Sequence, residues 1–223
     1  MAQDDHDQRL KEAVKSKFSD AIELLVPEWV ALFDYARIEF LEQEIFSDPP
    51  KGPRRAIDIL ARLPTTKPIT TAAEEKPKEE CVGLVHVELE GWDSIAEMRR
   101  RMRDYRHYLS RKFQLPVLPL CIYMYVGLEG LGWDEDRETF LGEVINTFRY
   151  RYMGLPALNG LQYIQGSNLL GVALASMMRI AEDAKPGRRR TPYRRLPSAA
   201  NRNRENTYSV SVSKRICHWR KYK

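Results

Sequence analysis

One ten-residue stretch limits the architecture more than any other. Residues 81–90 read CVGLVHVELE. Val, Leu and Val dominate up to His86, and acids then alternate with apolar residues. An apolar run of this length, rich in β-branched residues, predicts a strand whose first half is buried on both faces. Side chains at i and i+2 on a strand point to the same face, so Glu88 and Glu90 stand side by side at its end. A second apolar run, LPVLPLCIYMYVG at 115–127, also suits a strand buried on both faces. Between the two lies a helical pattern over 93–112, with Ile95, Met98, Met102, Tyr105, Tyr108 and Leu109 as its apolar positions and Asp93 or Ser94 as its N-cap. Strand, helix, strand is the unit from which parallel sheets are built.

Further elements follow from the same patterns. Leu10, Val14, Phe18, Ile22 and Leu25 recur every three to four residues and predict one helix over 7–25, with Asp7 as its N-cap and Pro27 just beyond its end. Strands are expected at 36–46, at 54–63 around Asp58, and at 143–153. DPPKGP at 48–53 marks a turn, and residues 64–80 an exposed loop. A last helix is expected over 167–182, capped by Ser167 or Asn168. Three consecutive strands that can pair as a meander, then a helical crossover to a fourth, make a mixed α/β sheet flanked by helices.

Charge divides the chain. Residues 185–223 hold 13 of the 36 Lys and Arg and one of the 31 acids, a net of +12. The 184 residues before them hold the other 23 bases and 30 acids, a net of −7. The overall +5 therefore belongs to the tail, which has no helical period and reads as a basic extension able to bind nucleic acid in a salt-dependent way, or as a frameshifted end. The body is acidic, which suits a metal site or an ordinary solvated surface. No run of apolar residues is long enough for a transmembrane helix, and residues 1–14 lack the apolar core of a secretory signal. Three widely spaced cysteines without CxxC spacing argue for a reducing, cytoplasmic setting and against a structural zinc site.

The chemistry concentrates in the acids. Asp58 lies among Ile57, Ile59 and Leu60, where a carboxylate needs a partner or a metal. If its strand neighbours 81–90, Asp58 joins Glu88 and Glu90. Three carboxylates at one sheet end would form a hard oxygen site for Mg²⁺ or Mn²⁺. By spacing alone, the same acids also fit solvent-facing positions near strand ends.

Several segments, in order, resemble the PD-(D/E)XK nucleases of the putative transposase, or recombination-promoting nuclease, family. HDQRLKEAV at 6–14 is similar to the family's opening helix and FLEQEIF at 40–46 to its first core strand. RRAIDILARL resembles the strand that carries the metal-binding Asp, and VHVELEGW the strand that carries the acid. RMRDYRHYLSRKFQLPVLPLCIYMY at 101–125 resembles the helix and strand that follow. The resemblance implies a restriction-endonuclease-like core, Mg²⁺-dependent cleavage of DNA linked to recombination or mobile elements, and Asp58 and Glu88 as metal ligands. It implies that Glu90 stands at the water-orienting position, where the superfamily has Lys and this branch usually Gln. Glu12 on the first helix would complete the catalytic set. Lys11 and the helix arginines Arg99, Arg103 and Arg106 are candidates for phosphate contacts. His86, two residues before Glu88, is a candidate partner for it, or a satisfied core histidine. DNA is the expected partner, with no membrane association, and a homodimer is left open. Two other readings stand beside this one. The first is a catalytically degenerate nuclease fold that binds DNA or a protein without cutting. The second is an acidic α/β interaction module.

Overall fold

A computed structural model describes residues 2–41, 57–66 and 81–180. The expected turn at 48–53, the loop over 67–80, the basic tail and Cys217 lie outside the described residues.

Six strands form one mixed open sheet in the order β1-β2-β3-β4-β6-β5. β1 (Glu39–Leu41), β2 (Ile59–Thr65) and β3 (Cys81–Glu90) pair antiparallel as the expected meander. α3 (Ile95–Phe113) then crosses to β4 (Val117–Tyr123), which runs parallel to β3. β6 (Glu143–Gly154) lies parallel to β4 and pairs antiparallel with β5 (Gly130–Phe140). β5 was not expected. Its sequence, GLGWDEDRETF, is charged, and its pairing comes from β6 rather than from a buried apolar face. The hairpin turns through Leu141 (φ 49°) and Gly142 (φ 92°), the two left-handed positions that a tight two-residue connection needs.

Alternation along the strands produces two apolar faces. One face presents Ile59, Ala61, Leu63, Val85, Val87, Leu120 and Ile122 to the N-terminal helices. There the expected single helix is two, α1 (Ala2–Ser16) and α2 (Phe18–Leu25), broken at Lys17 (φ −123°, ψ 46°). The five apolar positions that predicted one helix are all buried, so the break re-aims the chain while keeping the face. α1 begins at Ala2, so Asp7 lies inside the helix rather than at its cap. The opposite face packs Met98, Met102, Tyr105 and Leu109 of α3 against Leu60, Leu84, Cys121, Tyr123, Phe148 and Tyr150. Ser94 caps α3 through a capping box with Glu97, one of the two caps that the sequence offered.

The remaining differences are at element ends. β2 starts at Ile59, so Asp58 precedes the strand, and Pro64 and Thr65 belong to β2 rather than to the following loop. The expected last helix is shorter: α4 (Gly160–Ile164) precedes α5 (Leu169–Leu174), which gives way to a 3₁₀ turn over Ala175–Met177. Asn168 caps α5, accepting the Gly171 N–H at 2.8 Å. No helix among the described residues is long and apolar enough to cross a membrane.

Candidate active site

The antiparallel register pairs Ile59 with Val87, which places Asp58 opposite Glu88. The Asp58 N–H donates to Glu88 Oε1 at 3.2 Å, and the Leu89 N–H donates to Asp58 Oδ2 at 2.8 Å. Lys11 reaches the same point from α1, its Nζ 2.7 Å from Asp58 Oδ1. Burial and the charge of Glu88 push the Asp58 carboxyl above the usual aspartate range, while Lys11 and the Leu89 N–H work against them.

Glu88 itself is buried. His86 Nε2 lies 2.9 Å from its Oε1, and Arg101 Nε approaches its Oε2 at 3.4 Å. His86 is fully buried, packed edge-on against the Tyr105 ring at 5.3 Å. Histidine and carboxylate meet within the α3-facing side of the sheet, one of the two readings that the sequence left open for His86, and His86 Nδ1 is buried with no hydrogen-bond partner among the described residues.

Glu90 is held differently. Its Oε1 accepts the N–H groups of Trp92 (2.6 Å) and Asp93 (2.8 Å), and its Oε2 pairs with Arg101 Nη2. Arg101 Nη1 also holds Asp93 Oδ2 at 2.6 Å. Burial alone would raise the Glu90 carboxyl. The Asp93 and Trp92 N–H groups and the guanidinium outweigh it and hold Glu90 below the usual range. Burial likewise opposes the charge of Arg101, but Glu88 and Glu90 keep it protonated. Glu90 therefore anchors the turn after β3, with both oxygens engaged, and is not free to orient a water.

Arg101 is the residue that sequence reasoning missed. It does not align on α3 with Arg99, Arg103 and Arg106, the arginines proposed for phosphate contacts. The signal was present all the same: Arg101 falls between Met98 and Met102 on the apolar face of the helix, where a charge must find partners. The other arginines point elsewhere. Arg99 grips Asp134 through Nε and Nη2, both at 2.7 Å, and Arg103 Nη1 holds Asp136 at 2.6 Å. These bonds tie α3 to β5. Arg106 is exposed. Glu12 is also exposed and accepts from Gln8 Nε2 at 2.9 Å along α1, so Lys11 is the α1 residue that reaches the acids.

A divalent cation can be weighed against this arrangement. Among the described residues no group of three or more His, Cys, Asp and Glu is disposed to hold a metal ion. Asp58 and Glu88 nevertheless offer hard oxygen donors across adjacent strands. Lys11 and Arg101 face the carboxylates of Asp58, Glu88, Glu90 and Asp93 in this cluster. Asp58 and Glu88 are carboxylates of the donor type that Mg²⁺ and Mn²⁺ take, and each of their oxygens, like those of Glu90, already has a partner within the protein.

No protein-family model, curated protein or solved structure matches the chain.

Proposed function

We propose that this chain is a metal-dependent nuclease with a PD-(D/E)XK-type core, acting on DNA phosphodiester bonds and linked to recombination or mobile elements. One observation carries the reading: Asp58 and Glu88 face each other across β2 and β3 with an ammonium group, Lys11 Nζ, 2.7 Å from Asp58. Asp58 and Glu88 would hold Mg²⁺ or Mn²⁺. When bound, the cation would supply Lewis acidity to the phosphate and lower the pKa of a coordinated water. Lys11 would pair with a non-bridging phosphate oxygen, the positive charge that Glu90 cannot provide. Arg101 would keep Glu88 oriented. The recombination link rests on the sequence resemblance alone.

A second reading has its own support. Lys11 and Arg101 already neutralise part of the acid cluster, and the third motif position is a glutamate committed to the turn after β3. A retired nuclease fold that binds DNA or a protein partner without cleavage would look like this. Plasmid nicking by the full-length protein, with Mg²⁺, with Mn²⁺ and with chelator, separates the two. Metal-dependent nicking that Asp58→Ala abolishes supports the nuclease. Silence from folded wild-type and Glu90→Gln proteins would retire it in favour of binding alone.

A further inference from the structure

Trp92 and Tyr125 stand at the end of the sheet that carries the acids. Each follows the end of its strand, β3 or β4, by two residues. Their ring centroids are 5.1 Å apart with planes inclined by 30°, a stacked pair. Yet Trp92 is 56% exposed and Tyr125 44%. Trp is highly buried on average in folded proteins. Here the rings stack on one another and each still exposes about half of its surface.

The position of the pair is fixed by the site itself. Trp92 is hung on Glu90 through its N–H, and Arg101 holds Glu90 and Asp93 on either side of it. A partly buried guanidinium and a buried carboxylate, each engaged by the other, thus hold in place a turn whose outward product is an exposed indole.

We propose that Trp92 and Tyr125 form a stacking platform for an unpaired base of a nucleic-acid strand lying across the Asp58–Glu88 site. The proposal rests on the reading of that site as one for phosphodiesters, and extends it by naming the substrate class: a strand with at least one base free of its stack, either single-stranded or flipped from a duplex. Every base has a π-face, so stacking on indole is strong and indifferent to sequence. Lys11 lies at the same sheet end to meet the backbone. A fully paired duplex offers no free base face without the cost of unpairing.

Fluorescence anisotropy of full-length protein in chelator tests this without cleavage. The probes are a labelled oligothymidylate, an abasic strand of equal length and charge, and a blunt duplex. The abasic strand absorbs whatever the basic 185–223 segment contributes through phosphates alone. The base-bearing strand is expected to bind about tenfold more tightly than the abasic one. Trp92→Ala is expected to erase that difference while leaving abasic binding unchanged, and Trp92→Phe to restore most of it. Equal affinity of wild-type protein for the two strands would overturn the proposal. So would a preference that survives Trp92→Ala, or a loss that falls on both strands alike, as from damage to a protein-docking surface. A base preference in wild-type protein that nicks no plasmid with Mg²⁺ or Mn²⁺ would retire cleavage and keep the platform. Nicking without base preference would do the reverse.

Discussion

Lys11 and Asp58 form an ion pair at 2.7 Å between the first helix and the residue that leads into β2, with both side chains largely withdrawn from water. The pair is only a partial cure for Asp58. Burial and Glu88 still raise its carboxyl, so ionising it opposes folding. A carboxyl raised in the native state contributes stability below its unfolded pKa and loses that contribution as pH rises through the native one. Wild-type protein is therefore expected to lose stability relative to Asp58→Asn as pH is raised from below 3.8 towards neutrality. Lys11→Met is expected to enlarge the loss. Urea midpoints at a series of pH values check both, and a pH-independent difference would contradict them.

Glu90 shows the opposite sign. Its carboxyl is held below its usual value, so its contribution is present above about pH 4.5 and is lost as pH falls through the lower native pKa. Glu90→Gln removes the charge opposite Arg101 while keeping an oxygen for the turn. It is expected to cost about 2 kcal/mol at neutral pH, the scale of a hydrogen bond to a charged group. The cost should shrink in acid. Arg101→Met leaves three acids without their shared cation and is expected to cost more, about 3–5 kcal/mol. Thermal or chemical unfolding of the variants measures each.

The Arg99–Asp134 fork joins α3 to β5 through two bonds of 2.7 Å. Arg99 is 37% exposed, so solvent weakens the pair. A double-mutant cycle with Arg99→Ala and Asp134→Ala is expected to give a coupling of about 1 kcal/mol, reduced at high salt.

Phosphate binding along α3 is expected to favour Arg106 over its neighbours. Arg99 and Arg103 are already engaged by Asp134 and Asp136, so a phosphate must displace a carboxylate to reach them. Arg106→Ala is expected to lower the slope of log affinity for DNA against log salt by about one unit, and Arg99→Ala to leave it nearly unchanged. Titrations at several salt concentrations decide between them.

The meander, the crossover and the β3–β4 pairing were legible in the sequence because buried strands announce themselves as apolar runs. The pairing of Asp58 with Glu88 follows once β2 and β3 are adjacent, since the register then does the rest. β5 was not legible: an exposed edge strand has little to bury and takes its conformation from its partner. Nor was the break at Lys17, because the apolar positions of α1 and α2 keep helical spacing across it. Arg101 and Glu12 show the limit for sites. Spacing placed both on helices, but which residue turned inward depended on how each helix packed. In α1 the inward residue was Lys11, one position away from Glu12.

The Glu88–Glu90–Arg101 clamp has a kinetic consequence. All its members lie within the β3–α3–β4 unit, so it can close as soon as α3 docks, before the β5–β6 hairpin has formed. Contacts of short sequence separation cost little loop entropy, and they form early. A chain that folds in this order neutralises its most awkward charges first and adds the long hairpin afterwards. Loss of the clamp should then slow folding rather than hasten unfolding, giving Arg101 a φ-value near one and residues of the hairpin tip values near zero.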